Sequence, residues 1–308
     1  MIHADLPASS KRVLLREALN GNRTLQFPGA FNPLSARMIE DHGFDGVYVS
    51  GAVVSAELGL PDIGLTTLTE VSKRAQETSR VTDLPTLVDA DTGFGEPMNV
   101  ARTTQILEDA GVAALHIEDQ INPKRCGHLD GKAVVDEDAA VKRIRAAADA
   151  RRDSNLLIVA RTDIRSLSDF NETVRRAKAL RDAGADAIFP EALQGIGEYE
   201  QMVEEVGLPV IANMTEFGKT ELFPLTDLQN VGVKIVIYPV SLLRVAMGAA
   251  HRALTSLKKE GTLSSSVAQM QTRAELYDLL DYESYNRFDS SIYNFSVPHS
   301  SEKPMVRG

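Results

Sequence analysis

The chain has 308 residues, 43% of them hydrophobic and 25% charged, which suits one large folded core and excludes a disordered or low-complexity protein. With 43 acidic against 33 basic residues the net charge is -10, which argues against nucleic acid or an anionic membrane as the main partner. The single cysteine, Cys126, excludes an internal disulfide, and no signal-peptide core or run of ~20 apolar residues is present, so a cytoplasmic protein is expected.

In chain order, short apolar or β-branched runs alternate with longer segments of helical period. The first strand is Leu25-Gln26-Phe27, followed by a helix over Leu34 to His42 and a strand from Gly46 to Ser50. The third strand, Thr86 to Asp91, leads through a helix over Val100 to Ala110 to the fourth, Ala113 to Glu118. Leu156 to Thr162 is the fifth, and a helix over Thr173 to Ala183 precedes the sixth, Asp186 to Pro190. Pro209 to Asn213 and Val233 to Tyr238 complete a set of eight. Eight β-α units predict an α/β protein, a (β/α)8 TIM-type barrel, as a single domain over 1–308. Gly111 and Gly184, each following Asp-Ala, are expected to end helices in the left-handed conformation that a Cβ disfavours. From about 241 a helical arm follows, Ser241 to Glu260 and Leu276 to Tyr285 around the linker Gly261 to Ser266. It is too small for a domain of its own and is expected to pack on the barrel or on a neighbouring subunit.

Polar residues gather where these strands end, which is where a barrel builds its active site. Residues two apart in a strand share a face, so Asp89 and Asp91 are expected to point together from the third strand, with Glu118 at the end of the fourth. An isolated Asp-x-Asp is equally a pair of capping acids; the preceding apolar strand, the following Gly93-Phe94-Gly95 and the acid on the next strand favour a Mg²⁺ site. Asp62, in Leu60-Pro61-Asp62, is a candidate acid for a metal-bound water. Lys124-Arg125-Cys126-Gly127-His128 follows the fourth strand. Its two cations and its histidine are expected to favour thiolate at Cys126, making it able to exchange a proton near neutral pH. Arg161 ends the fifth strand, where it can clamp a carboxylate or stabilise an alkoxide, Glu191 follows the sixth, and Asn213 with Thr215 supplies neutral hydrogen bonds.

Lys124 to His128 and Asp89 to Gly95, together with Ser50-Gly51, Leu60-Pro61-Asp62, His116 to Gln120, Ala212 to Gly218 and Gln271-Thr272-Arg273, resemble the isocitrate lyase/phosphoenolpyruvate mutase superfamily from the first strand into the arm. The resemblance implies a barrel whose last helix is exchanged between subunits of a homotetramer. It implies Mg²⁺ (or Mn²⁺) on Asp89 and Asp91, with Asp62 and Glu118 acting through water. The substrate it implies is a small anionic tricarboxylate, whose pyruvate-like half meets Ser50, Gly51 and Ala52. Gly127, Arg161, Glu191, Asn213, Met214, Thr215, Arg244 and Arg273 would surround the rest. Ala52 departs from the glycine common in that loop. The implied reaction is retro-aldol cleavage of 2-methylisocitrate in the 2-methylcitrate cycle of propionate catabolism. Arg161 would stabilise the alkoxide, Tyr48 would serve as base or relay, and Cys126, with Lys124 and His128 beside it, would protonate the carbanion. Phe189, Ile237 and Pro239 lean towards the methylated acid over isocitrate. An oxaloacetate-type hydrolase on the same scaffold has no need of the thiol, and a non-catalytic subunit would require a broken site.

Overall fold

The computed structural model of the protein describes residues 4–125, 131–218 and 220–295. All eight expected strands form. They are β1 (Leu25–Pro28), β2 (Val47–Val49), β3 (Thr86–Asp89), β4 (Ala114–Glu118), β5 (Leu157–Thr162), β6 (Ala187–Pro190), β7 (Ile211–Asn213) and β8 (Ile235–Tyr238). Pairing is parallel throughout, in two arcs, β1-β8-β7 and β2-β3-β4-β5-β6. Single parallel bridges, Gly29 to Tyr48 and Ile188 to Val210, join the arcs into a ring.

Because the ring is covered on both faces, its strands read as unbroken apolar runs. Inside it, Phe27, Leu87, Val159, Ile211 and Ile235 pack with Leu15 and Leu19 of α1 (Ala8–Leu19), which thereby covers the N-terminal mouth. Outside it, Val88, Leu115, Ile158 and Val236 pack against the helices, among them α5 (Pro97–Asp109), α6 (Glu137–Ala150) and α7 (Phe170–Asp182). Gly111 and Gly184 do follow α5 and α7 with φ of +85° and +110°. Register carries the ends of the strands to one level: Asp89 lies opposite His116, and Glu118 opposite Arg161.

The closing seam tolerates no side chain at Gly29. Its N–H donates to Tyr238 O at 2.9 Å, and a Cβ would lie 2.0 Å from Pro239 O. Gly29→Ala is therefore expected to destabilise the fold by about 3 kcal/mol, the upper range of overpacking, seen as a lower urea midpoint.

The arm differs from expectation in two places: the expected linker runs into a short 3-10 helix, Ser264–Gln269, and the second helix is divided. α10 (Ser241–Glu260) spans the anticipated residues and ends at Gly261, φ +70°, but the helix expected over Leu276 to Tyr285 is two. α11 (Arg273–Leu279) starts with a Thr272–Glu275 capping box, and α12 (Tyr282–Tyr293) starts after Asp281, φ +52°. An aspartate tolerates this left-handed step, and Ser284 Oγ donates to Asp281 O at 3.0 Å to hold it.

Candidate active site

At the C-terminal mouth of the barrel a cavity of about 200 Å³ is lined by Tyr48, Ser50, Ala52, Asp62, Asp89, Lys124, Arg161, Phe189, Glu191, Asn213, Thr215 and Arg244. A larger groove of about 730 Å³ between α4 (Leu68–Ser79) and α5 is lined by Asp91, by Arg102 and otherwise by neutral side chains, whereas the smaller cavity gathers Asp62, Asp89, Lys124, Arg161 and Glu191, so the chemistry belongs to the smaller cavity. Among the described non-glycine residues with positive φ, Asp91, Phe94, Ala192 and Phe217 all lie on the loops after β3, β6 and β7. Such strain persists where surrounding structure imposes it; Phe217 lines the cavity, and Asp91 and Phe94 line the neighbouring groove.

Asp89 and Asp91 converge, but not by the pleat of one strand. β3 ends at Asp89, Asp91 turns with φ +47°, and its N–H donates to Asp89 Oδ1 at 3.0 Å. Gly51 begins α3 (Gly51–Glu57) and donates its N–H to Asp89 Oδ2 at 3.1 Å. A Cβ on it would stand 3.0 Å from Asp89 Oδ2 and 3.1 Å from Asp91 Oδ1, so both carboxylates face one point. Lys124 Nζ reaches Asp91 Oδ1 at 2.7 Å and Asp62 Oδ1 at 2.5 Å. Burial alone would lower the Lys124 pKa, but Asp91, Glu118, Asp89 and Asp62 outweigh it and raise it well above the ordinary value. Burial, then the Asp89 charge, pushes Asp91 up to about 6. Glu118 is buried, its carboxyl raised well above the usual range by burial, and neither of its oxygens makes a hydrogen bond. Its nearest cation is Arg161, with Nε 3.3 Å from Oε2.

Among the described residues no three His, Cys, Asp or Glu side chains form a ready-made metal cage. The ammonium of Lys124 lies between Asp62 and Asp91 instead. Even so, two carboxylates facing one point, a further acid within reach of Lys124 and a buried carboxylate without hydrogen bonds fit a hard dication that keeps some of its waters.

Across the cavity, Arg161 lies over Phe189, with Cζ 5.1 Å from the ring centroid, and its Nη2 is 3.7 Å from Glu191 Oε2. Asn213 Nδ2 donates to Glu191 Oε2 at 3.2 Å. Arg244, on the first turn of α10, donates to Thr215 Oγ1 at 3.2 Å and to Glu216 O at 2.7 Å. Tyr48 Oη and His116 Nε2 are 2.7 Å apart, deep in the barrel. Burial lowers His116 to about 4, so it is neutral near pH 7; burial and then Asp89 raise the Tyr48 phenol well above its ordinary value. Tyr48 therefore keeps its proton. The expectation that it is a base gives way to a hydrogen-bonding or relay role.

Three expected contacts fall elsewhere. Met214 is buried outside the ring, where its Sδ accepts the Phe223 N–H at 3.3 Å, because β7 alternates its side chains between the two faces. Ile237 is buried in the interior of the barrel, and it is Pro239 and Val240 that line the cavity. Arg273 is exposed on the arm, away from this cavity. Cys126, Gly127 and His128 lie outside the described residues. Lys124, expected beside the thiol as a cation, spends its charge on the acids instead, and Arg125 donates its Nη1 to Pro123 O at 3.1 Å. Asp163 and Glu216 were missed. Asp163 lies two residues beyond Arg161, the same two-residue spacing that picked out Asp91.

The sequence pattern described as Phosphoenolpyruvate phosphomutase matches residues 15–258. A protein of Corynebacterium glutamicum named probable 2-methylisocitrate lyase 2 is 54% identical over 96% of this chain and 96% of its own. The chain belongs to the phosphoenolpyruvate phosphomutase family, among its 2-methylisocitrate lyases. It is accordingly a carbon–carbon lyase on an α/β barrel. Two solved structures of this family share the fold. A 2,3-dimethylmalate lyase is 34% identical with a TM-score of 0.84, covering 95% of this chain and 99% of its own. A phosphonopyruvate hydrolase in complex with oxalate and Mg²⁺ is 26% identical with a TM-score of 0.82, covering 92% and 99%. No helix among the described residues is long and apolar enough to cross a membrane.

Proposed function

We propose that the enzyme cleaves 2-methylisocitrate to pyruvate and succinate by retro-aldol chemistry in the cytoplasm. The observation that carries this reading is the opposition, across one small cavity, of the Asp62-Asp89-Asp91-Lys124 cluster and the guanidinium of Arg161. Mg²⁺, or Mn²⁺, held by Asp89 and Asp91 and reached through water by Asp62 and Glu118, would supply positive charge to the 2-hydroxyl and 2-oxo oxygens. The other roles belong to the chain. Ser50, Gly51 and Ala52 receive the pyruvate half, and Lys124 balances the acids around it. Arg161, steadied by Glu191 and Asn213, places charge where the alkoxide and then the carbonyl develop. Tyr48 relays the 2-hydroxyl proton from below, taking it as it passes its own phenol proton to the neutral His116 Nε2 2.7 Å away. Thr215 and Arg244 bind a carboxylate at the mouth. As the carbon–carbon bond breaks, its electron pair is left on the succinate half, and Cys126, with Gly127 and His128 beside it, gives that carbon a proton.

We also infer a homotetramer in which the arm of one chain covers another and delivers Arg273. Support comes from the arm's apolar residues: Val245, Met247 and Ile292 are 69%, 59% and 60% exposed in a single chain. Light scattering should give the mass of four chains.

The test of the substrate is the product pair and kcat/KM for 2-methylisocitrate and isocitrate on one preparation. Pro239 and Val240, lining the cavity near Phe189, favour the extra methyl, which is worth about 10–200-fold at most. A preference for isocitrate overturns the methylated substrate, and absence of pyruvate overturns the lyase reaction proposed.

A further inference from the structure

The guanidinium of Arg161 is gripped along one edge. Its Nε donates to Asp163 Oδ2 at 2.9 Å and its Nη2 to Asp163 Oδ1 at 3.2 Å, a two-point fork. One face lies against Phe189. Nη1 makes no hydrogen bond among the described residues, and Arg161 lines the cavity. The fork is itself held from behind. Asp163 is fully buried, and its Oδ1 also accepts from Lys132 Nζ at 2.8 Å. Its N–H donates to Asp119 Oδ1 at 2.9 Å, a carboxylate fixed in turn by Thr162 Oγ1 at 2.6 Å and Arg176 Nη1 at 3.1 Å. Asp163 does not line the cavity, so whatever it contributes passes through Arg161.

We propose that Asp163 is the positioning residue of Arg161: it turns the Nη1 edge of the guanidinium towards the substrate oxygens, while Lys132 shares and offsets the Asp163 charge. The charges support this division: Lys132 Nζ, 2.8 Å from Asp163 Oδ1, offsets the negative charge that the fork places beside Arg161. The inference rests on reading Arg161 as the substrate-facing guanidinium.

Asp163→Asn keeps the shape but can accept at one atom only, which reduces the fork to a single point. Oxalate, a planar dianion, probes the Arg161 edge whatever the natural substrate is. Calorimetry on the Mg²⁺-loaded enzyme is expected to show oxalate bound about tenfold more weakly by the variant, the loss of one charged hydrogen bond. Its kcat for pyruvate release should fall about 10²-fold, the cost of a misplaced group, with KM changed far less. In an Arg161→Lys background Asp163→Asn should cost nothing further in oxalate affinity, because an ammonium offers no fork to hold. A purely structural buried pair predicts additive losses, and additivity overturns the proposal. Undiminished oxalate affinity in Asp163→Asn, or a wild-type enzyme that binds no oxalate, overturns it as well. Should Asp163→Asn fail to fold by circular dichroism, Lys132→Gln replaces it under the same requirement of non-additivity with Arg161→Lys. If the wild type binds oxalate but releases no pyruvate from 2-methylisocitrate, the substrate reading fails and the oxalate cycle still decides the role of Asp163.

Discussion

Stripping divalent metal from the enzyme is expected to abolish turnover, and Asp89→Ala to lower kcat/KM by about 10³-fold or more even with Mg²⁺ in excess, an effect of the size of losing a principal electrostatic contact. The reason lies in the charge density around Gly51. Asp89 and Asp91 face the same point, and Asp91 is raised from 3.8 to about 6 by burial and by its neighbour. A carboxyl whose folded pKa is raised stabilises the fold while protonated; that contribution is complete below about pH 4 and is lost as the pH rises through 6. In metal-free protein Asp91→Asn should therefore be the more stable form near pH 8, by roughly 2–3 kcal/mol, with the difference gone near pH 4. Adding Mg²⁺ should reverse the order at the higher pH, because only the wild type gains the binding energy. Thermal midpoints with chelator and with Mg²⁺, at the two pH values, check all of this. A metal-free Asp91→Asn less stable than wild type at pH 8 would show that Lys124 already satisfies the acids and that no dication is wanted.

The barrel was legible because its physics is local and repeated. A strand covered on both faces must be apolar along its whole length, so Leu156 to Thr162 and Val233 to Tyr238 stand out from the polar helices around them. Helix stops were equally readable: Gly111 and Gly184 adopt the left-handed angles that motivated their selection. The directions of side chains beyond the strand ends were not legible. Alternation ceases after β3, where Asp91 arrives beside Asp89 through a left-handed turn, but carries on past β7, where Met214 points out of the ring between Asn213 and Thr215, which meet the cavity. Lys124 was read as an influence on its sequence neighbour, whereas a four-carbon stem carries its charge to Asp62, a contact 62 residues distant. The break at Asp281 has no proline or glycine to announce it. Asp163 was visible in principle, since an acid two residues beyond a buried arginine shares its face, but it touches the cavity only through Arg161, and nothing in the sequence marks such an indirect role.

Cys126→Ser is expected to lower kcat by about 10²–10⁴-fold, the contribution of a general acid, while Mg²⁺ and oxalate affinities stay at wild-type values. Lys124 and Arg125 looked able to hold Cys126 as thiolate, but Lys124 is engaged by Asp62 and Asp91, and Arg125 is turned towards the carbonyls of Pro123 and Lys124. A carbanion needs an acid, so a protonated Cys126 near neutral pH is the competent form, and the pH profile of kcat should fall on the alkaline side as the thiol ionises. Serine preserves the size and the hydrogen-bonding capacity but is a far weaker acid. It separates proton donation from packing: the alkaline limb should disappear together with most of the rate. Full turnover in Cys126→Ser, or an alkaline limb that persists unchanged, would move the proton donor elsewhere in the cavity, with Tyr48, the protonated phenol over His116, the next group to replace.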